Sequence, residues 1–141
     1  MIQAKNIQKN FDDLHVLKGV NLYIKQGEIV SIVGASGAGK TTLLQILGTL
    51  DHVSNPNDAK LTINNICINK LNEKELAKFR NETLGFIFQF HQLLPEFNAI
   101  ENVCLPAFIK GTNKLEAETK AKELLDFLGL SSRYNHKPNE L

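Results

Sequence analysis

Tryptophan is absent from this chain of 141 residues, methionine occurs once and cysteine twice. Cys67 and Cys104 are too few and too far apart for a zinc motif or a disulfide framework, so two buried, reduced thiols in a cytoplasmic chain are expected. Neither sign of charge is in excess: 16 Lys and Arg stand against 15 Asp and Glu, a formal net charge of +1. Without a bulk field to hold nucleic acid or an anionic membrane, any anion must be gripped locally, and no nucleic-acid partner is expected. Long apolar runs are missing too. None approaches the ~18 to 20 residues that cross a bilayer, and Met1-Ile2-Gln3-Ala4-Lys5 lacks the apolar stretch of a signal peptide. Membrane contact would have to go through a partner. What is present is apolar material for one core, 43% of the residues, and a single domain is expected.

Hydrophobic period divides the chain into elements. Val20, Leu22 and Ile24 alternate with polar residues, as in a half-buried strand. Glu28 to Val33 is nearly all apolar and β-branched, which suits a central strand buried on both faces, and Leu84 to Phe88 reads as a second one. Thr41 to Leu50 reads as a helix with Leu43, Leu44, Ile46 and Leu47 facing inward. Lys60 to Ile68 reads as two short strands around Asn64-Asn65, and Glu73 to Glu82 as a charged helix with Leu76 and Phe79 on one face. A helix begins near Asn98, with Pro106 ending or kinking it. Lys114 to Leu128 is a helix with Ala121, Leu124, Leu125 and Leu128 as its apolar stripe and Gly129 at its C-terminal cap.

The chemistry sits between the first apolar strand and the first helix. Gly34-Ala35-Ser36-Gly37-Ala38-Gly39-Lys40-Thr41 fits G-x-x-x-x-G-K-S/T, with the strand–turn–helix context that the motif requires. Its glycines let successive backbone N–H groups converge on phosphate oxygens. The helix start adds about half a positive charge. Lys40 supplies a full charge to the terminal phosphates, the Thr41 hydroxyl can ligate Mg²⁺, and Thr42 can add a further hydroxyl. The motif identifies a phosphate ligand and leaves the task open.

Further residues narrow the task. The stretch Gly34 to Leu44, its lead-in Val16 to Glu28, and Phe86-Ile87-Phe88-Gln89 resemble the Walker A segment, lead-in strands and Q-loop of the ATP-binding cassette (ABC) ATPases. Within that family, Leu47 to Asp51, Phe79-Arg80-Asn81, and Gly85 to Phe97 followed by Glu101-Asn102-Val103 are similar to the lipoprotein-releasing subgroup, with macrolide-export and cell-division ATPases as neighbours. The resemblance implies an α/β fold: a P-loop NTPase core with a parallel sheet, an N-terminal antiparallel β layer and a partial helical subdomain. Residues 1–89 would be the nucleotide-binding core and 90–141 the Q-loop and helical portion of one ABC domain. It implies ATP and Mg²⁺ as ligands, held by Gly34, Ala35, Ser36, Gly37, Ala38, Gly39, Lys40, Thr41 and Thr42. Phe11 would stack on adenine, the alternative being a strand-end core residue. Gln89 would ligate Mg²⁺ beside Thr41 and sense the γ-phosphate, the alternative being a polar strand cap. The apolar residues of Gln89 to Phe97 would dock a membrane-embedded permease or, alternatively, fold back into the core. Two copies of the full-length protein would pair, peripheral on the inner face of the cell membrane.

The departures are as informative as the matches. Asn55 to Lys60 replaces the Thr/Ser-Gly turn usual in the family. No apolar run here ends in Asp-Glu, and Pro138-Asn139-Glu140-Leu141 resembles the approach to the signature sequence. The Walker B aspartate, catalytic glutamate, signature loop and switch histidine are missing, so the sequence reads as the N-terminal part of a longer protein. His15, His52, His91 and His136 match no switch position and read as surface or loop residues. A soluble or cell-division ABC ATPase not engaged in transport stays open as an alternative. A small-molecule kinase would need an arginine-rich lid, and only Arg80 and Arg133 are available.

Overall fold

In a computed structural model, which describes residues 1–88 and 93–140, the chain divides into two compact units, Met1–Arg80 and Asn81–Leu141. The first unit opens with a hairpin of strands β1 (Ile2–Phe11) and β2 (Leu14–Ile24), followed by helix α1 (Lys40–Leu47), strands β3 (Lys60–Ile63) and β4 (Ile66–Cys67), and the start of helix α2 (Glu73–Thr83). The strands form one antiparallel sheet in the order β2-β1-β3-β4, the expected antiparallel layer. Asn64 and Asn65 both take positive φ (47° and 67°) and turn β3 into β4, as a two-residue hairpin with a right-handed twist demands.

β1 is covered along both edges. β2 pairs with one, while β3 reaches only Ile2 to Lys5 of the other. The rest is met by the segment 51–55, which pairs through side chains where its backbone does not form a ladder. Ser54 N–H donates to Gln8 O (2.9 Å), Asn10 N–H to Ser54 Oγ (2.9 Å), Gln8 N–H to Asn55 Oδ1 (3.1 Å), and Asn55 Nδ2 to Asn6 O (2.9 Å). Asn55 O closes the following turn by accepting from Asp58 and Ala59. The atypical segment Asn55 to Lys60 thus has a defined course.

Between sheet and helices lies a core of Ala4, Ile7, Leu17, Leu43, Ile46, Leu47, Leu61, Ile63, Leu76 and Phe79. Leu76 and Phe79 face inward as expected. Leu44, expected with them, is 57% exposed, and α1 stops at Leu47 because Gly48 and the positive φ of Thr49 (58°) end its hydrogen bonding.

The parallel ladder expected over 28–33 and 84–88 is not formed among the described residues. Both segments lack regular secondary structure, and Ile29, Val33 and Ile87 are open to solvent (98%, 84% and 103% exposed). A strand apolar on both faces needs flanking strands to satisfy its edges and layers to cover its faces. The described residues provide neither for these two segments.

The second unit is a helical hairpin of α3 (Ala99–Lys110) and α4 (Lys114–Phe127), joined by a short turn at Gly111. Asn98 and Glu101 form a reciprocal capping box at the start of α3, and Asn113 caps α4. Pro106 lies within α3 and does not end it. The helices meet through Cys104, Ala117 and Ala121, flanked by Ile100, Val103 and Ala107. Leu124 and, just past the end of α4, Leu128 of the expected stripe stay exposed (47% and 67%), while Ala117, Ala121 and Leu125 are buried. Of the two thiols only Cys104 is buried; Cys67, on the short edge strand β4, is partly open. Burial, with the nearby Glu118 charge, raises the Cys104 pKa.

Candidate phosphate-binding site

Residues 34–39 connect the first apolar segment to α1 and run over the surface. Gly37 and Gly39 have φ of 78° and 84°, the left-handed region that glycine enters without strain. At Gly39 the conformation is enforced by packing: a Cβ there would lie 2.9 Å from Val16 Cγ1, 3.0 Å from Leu17 Cδ2 and 3.3 Å from Val16 O. The loop is therefore seated on β2, and α1 starts where that contact leaves it. Leu43 N–H closes the first helical bond onto Gly39 O (2.9 Å), leaving the N–H groups ahead of it without carbonyls four residues back.

Lys40 bends back over the loop. Its Nζ donates to Gly34 O (2.9 Å) and Ala35 O (2.7 Å), which holds the ammonium at the mouth of the turn. Ser36, Gly37, Ala38 and Thr41 are exposed, and Thr42 is half-buried. The donor set suits an anionic phosphate chain: backbone N–H groups, one ammonium and hydroxyls, with no carboxylate among residues 34–42.

Phe11 ends β1 and is 48% exposed. Lys9 Nζ stands over that ring, 5.0 Å from its centroid. The same ammonium pairs with Asp51 Oδ1 at 2.6 Å and donates to His52 O at 2.9 Å. Burial pushes the Asp51 carboxyl up, but the hydrogen bonds from Lys9 and from the His52 N–H, with the charges of both residues, outweigh it, and its pKa lies below the ordinary 3.8. A carboxylate with a depressed folded pKa contributes stability above its unfolded value and loses it as pH falls through the folded one. The difference in denaturant midpoint between the native chain and Asp51→Asn is therefore expected to shrink from about pH 5 to pH 3. A difference constant over that range would show that the charge contributes nothing.

Gln89 lies outside the described residues, as does His91. Of the apolar segment ending at Phe97, Leu93 and Leu94 are exposed (44% each) and Phe97 is half-buried. Sequence reasoning missed what holds them. Asn102, one turn into α3, accepts from Leu94 N–H (2.8 Å) and donates to the carbonyls of Leu94 (3.1 Å), Phe97 (3.0 Å) and Asn98 (3.0 Å). An asparagine early in a helix gives no local sign of this, because its partners lie upstream of the helix. His15 and His52 are exposed, His52 pairing with Glu73 (3.2 Å), in keeping with surface positions. Arg80 donates to Thr49 O (2.6 Å) and Arg133 to Glu140 O (2.6 Å).

A glycine-rich loop seated between a β layer and a helix, with its lysine at the mouth, is the phosphate loop of a P-loop NTPase. The chain belongs to the ABC transporter family, whose profile matches residues 17–141. It is 57% identical over 141 residues to the lipoprotein-releasing system ATP-binding protein LolD of Bacteroides fragilis, covering 100% of this chain and 64% of that protein. The same identity holds to the LolD protein of Bacteroides thetaiotaomicron, again over 100% of this chain and 63% of the relative. Two solved structures superpose over 100% of this chain and 63% of theirs: a dimeric bacterial ABC transporter cassette, MJ0796 (TM-score 0.86, 41% identical), and the same cassette in a dimeric post-hydrolysis state bound to ADP and Pi (TM-score 0.84, 40% identical). These cassettes carry the α/β class for the present chain. The chain spans just under two thirds of the length of the relatives it matches.

Proposed function

We propose that these residues form the nucleotide-binding part of an ABC ATPase subunit that couples MgATP binding and hydrolysis to the release of lipoproteins, or a related amphiphile, from the cytoplasmic membrane. Residues 1–89 bind the nucleotide, and 90–141 form the Q-loop and helical portion. The observation that carries the reading is the phosphate loop seated on β2 with Lys40 at its mouth. When ATP binds, Lys40 exchanges the Gly34 and Ala35 carbonyls for terminal phosphate oxygens, and the N–H groups of residues 36–41 converge on the chain of phosphates. Thr41 and Gln89 hold Mg²⁺, and Phe11 stacks on adenine by its free face. Phe11 lies two residues along β1 from Lys9, whose β2 partner Leu17 packs under the loop. Residues 1–141 contain no apolar strand ending in Asp-Glu, so alone they bind nucleotide weakly and do not turn it over.

The full-length protein works as a homodimer on the inner face of the membrane, with Gln89 to Phe97 receiving a cytoplasmic segment of the permease. The LolD relatives support the transport role, and the exposure of Leu93 and Leu94 favours docking over burial of this segment. Full-length protein reconstituted with its membrane subunits in vesicles is expected to release lipoprotein only with MgATP. Leu94→Glu or Phe97→Glu should abolish both release and co-purification with the permease while leaving nucleotide affinity within about twofold. Retained complex formation would assign these side chains to the interior, and ATP-independent release would overturn the transport reading.

A further inference from the structure

The base-stacking ring is held by something of its own. Phe11 ends a strand beside an exposed turn, a position where an aromatic side chain would rotate freely between rotamers. Lys9, two residues back on the same face of β1, prevents this. Its side chain is only 13% exposed, and its ammonium has three donors. Two reach oxygens that the segment after α1 presents, Asp51 Oδ1 and His52 O, and the remaining side of the cation faces the Phe11 ring. Both oxygens come from the chain leaving the phosphate-loop helix. One cation therefore ties the ring to the element that carries the phosphate-binding N–H groups.

We infer that Lys9 is a positioning residue for the nucleotide base: fixed by Asp51 and His52, it covers one face of Phe11, presents the other to the base, and holds that face in register with the phosphate loop. A cation over one face of an aromatic ring draws π density toward itself and excludes a second occupant there. Orienting the ring before binding removes an entropic cost that stacking would otherwise carry. Lys9 and Asp51 lie 42 residues apart in sequence, so no local motif announces the pair. The inference rests on the stacking role proposed for Phe11.

The test measures equilibrium binding of ATP and of inorganic tripolyphosphate, which has the phosphates without the base, to the full-length protein. Lys9→Met should weaken ATP by about threefold to tenfold and leave tripolyphosphate within about twofold. Lys9→Arg, which keeps a cation in reach of both Asp51 and the ring, should restore ATP binding. In a Phe11→Ala background, Lys9→Met should cost ATP nothing further, because the ring through which it acts is gone. Equal weakening of both ligands, the same loss of ATP affinity with and without Phe11, or no loss at all would each overturn the inference. Should Lys9→Met fail to fold, Asp51→Asn frees the ammonium while keeping its charge, and the same pattern is required of it. Phe11→Ala alone separates the two claims. If that variant binds ATP and tripolyphosphate as the native protein does, the stacking role falls. If it loses ATP selectively while Lys9→Met does not, only the positioning role falls.

Discussion

Lys40→Ala in the full-length protein is expected to weaken MgATP binding by about tenfold to a hundredfold and to reduce hydrolysis to background. The side chain already sits at the mouth of the loop on two carbonyls, so reaching phosphate requires exchanging partners and no rearrangement of backbone. A charge-assisted hydrogen bond contributes about 1.5 to 3 kcal/mol, which sets the range. Isothermal titration of both forms decides it, and equal affinities would remove Lys40 from the site. The alanine form should fold as the native chain does, because Lys40 is not in the core and its carbonyl partners face solvent.

Gly39→Ala should do more damage to the fold than any surface change in the loop. Two separate penalties meet there. A non-glycine residue at φ 84° is strained by about 1 to 2 kcal/mol, and the new methyl would have to displace Val16 and the buried Leu17, overpacking that costs about 1 to 3 kcal/mol. Chemical denaturation should register a combined loss of about 2 to 5 kcal/mol, with nucleotide binding lost as the loop lifts from β2. Gly111→Ala is the control: its φ is 88° but nothing lies within 4 Å of a Cβ there, so only the conformational part should appear. If the two variants lose the same stability, the contact with β2 has no energetic weight.

Local chemistry was readable where it was sufficient to decide the structure. The phosphate loop, the Asn64-Asn65 turn, the α2 face of Leu76 and Phe79, and the Asn98 start of α3 all follow from a few adjacent residues whose conformational demands have one common solution. Readings that ranked side chains by hydrophobicity alone failed at Leu44 on α1, where Leu43, Ile46 and Leu47 fill the buried face, and at Leu124 and Leu128, because the helices of the second unit meet through Cys104, Ala117 and Ala121 instead. The run at 28–33 has the composition of a buried parallel strand, yet composition cannot supply the neighbours that make a ladder. Within the expected antiparallel layer β1 carries no uniform alternation, because its period is broken at Asn6, where φ is 51° and the register with β2 shifts. At the candidate site, the family resemblance suggested stacking for Phe11, whereas Lys9 and Asp51 are partners 42 residues apart that no short window of sequence contains.

The seam along β1 limits how the gene for this chain can change length. Residues 51–55 are hydrogen-bonded to Asn6 through Asn10 and residues 60–63 to Ile2 through Lys5, so two stretches on either side of a turn are registered against one strand. An inserted or deleted codon within 51–55 would shift its donors past their acceptors on Asn6 to Asn10, and one within 60–63 would turn buried Leu61 and Ile63 to the opposite face. Among the described residues, Pro56 to Ala59, the turn between the two stretches, shows no hydrogen bond to a strand. An engineered insertion at that turn is therefore expected to emerge without disturbing either the ring at the end of β1 or the loop that holds the phosphates.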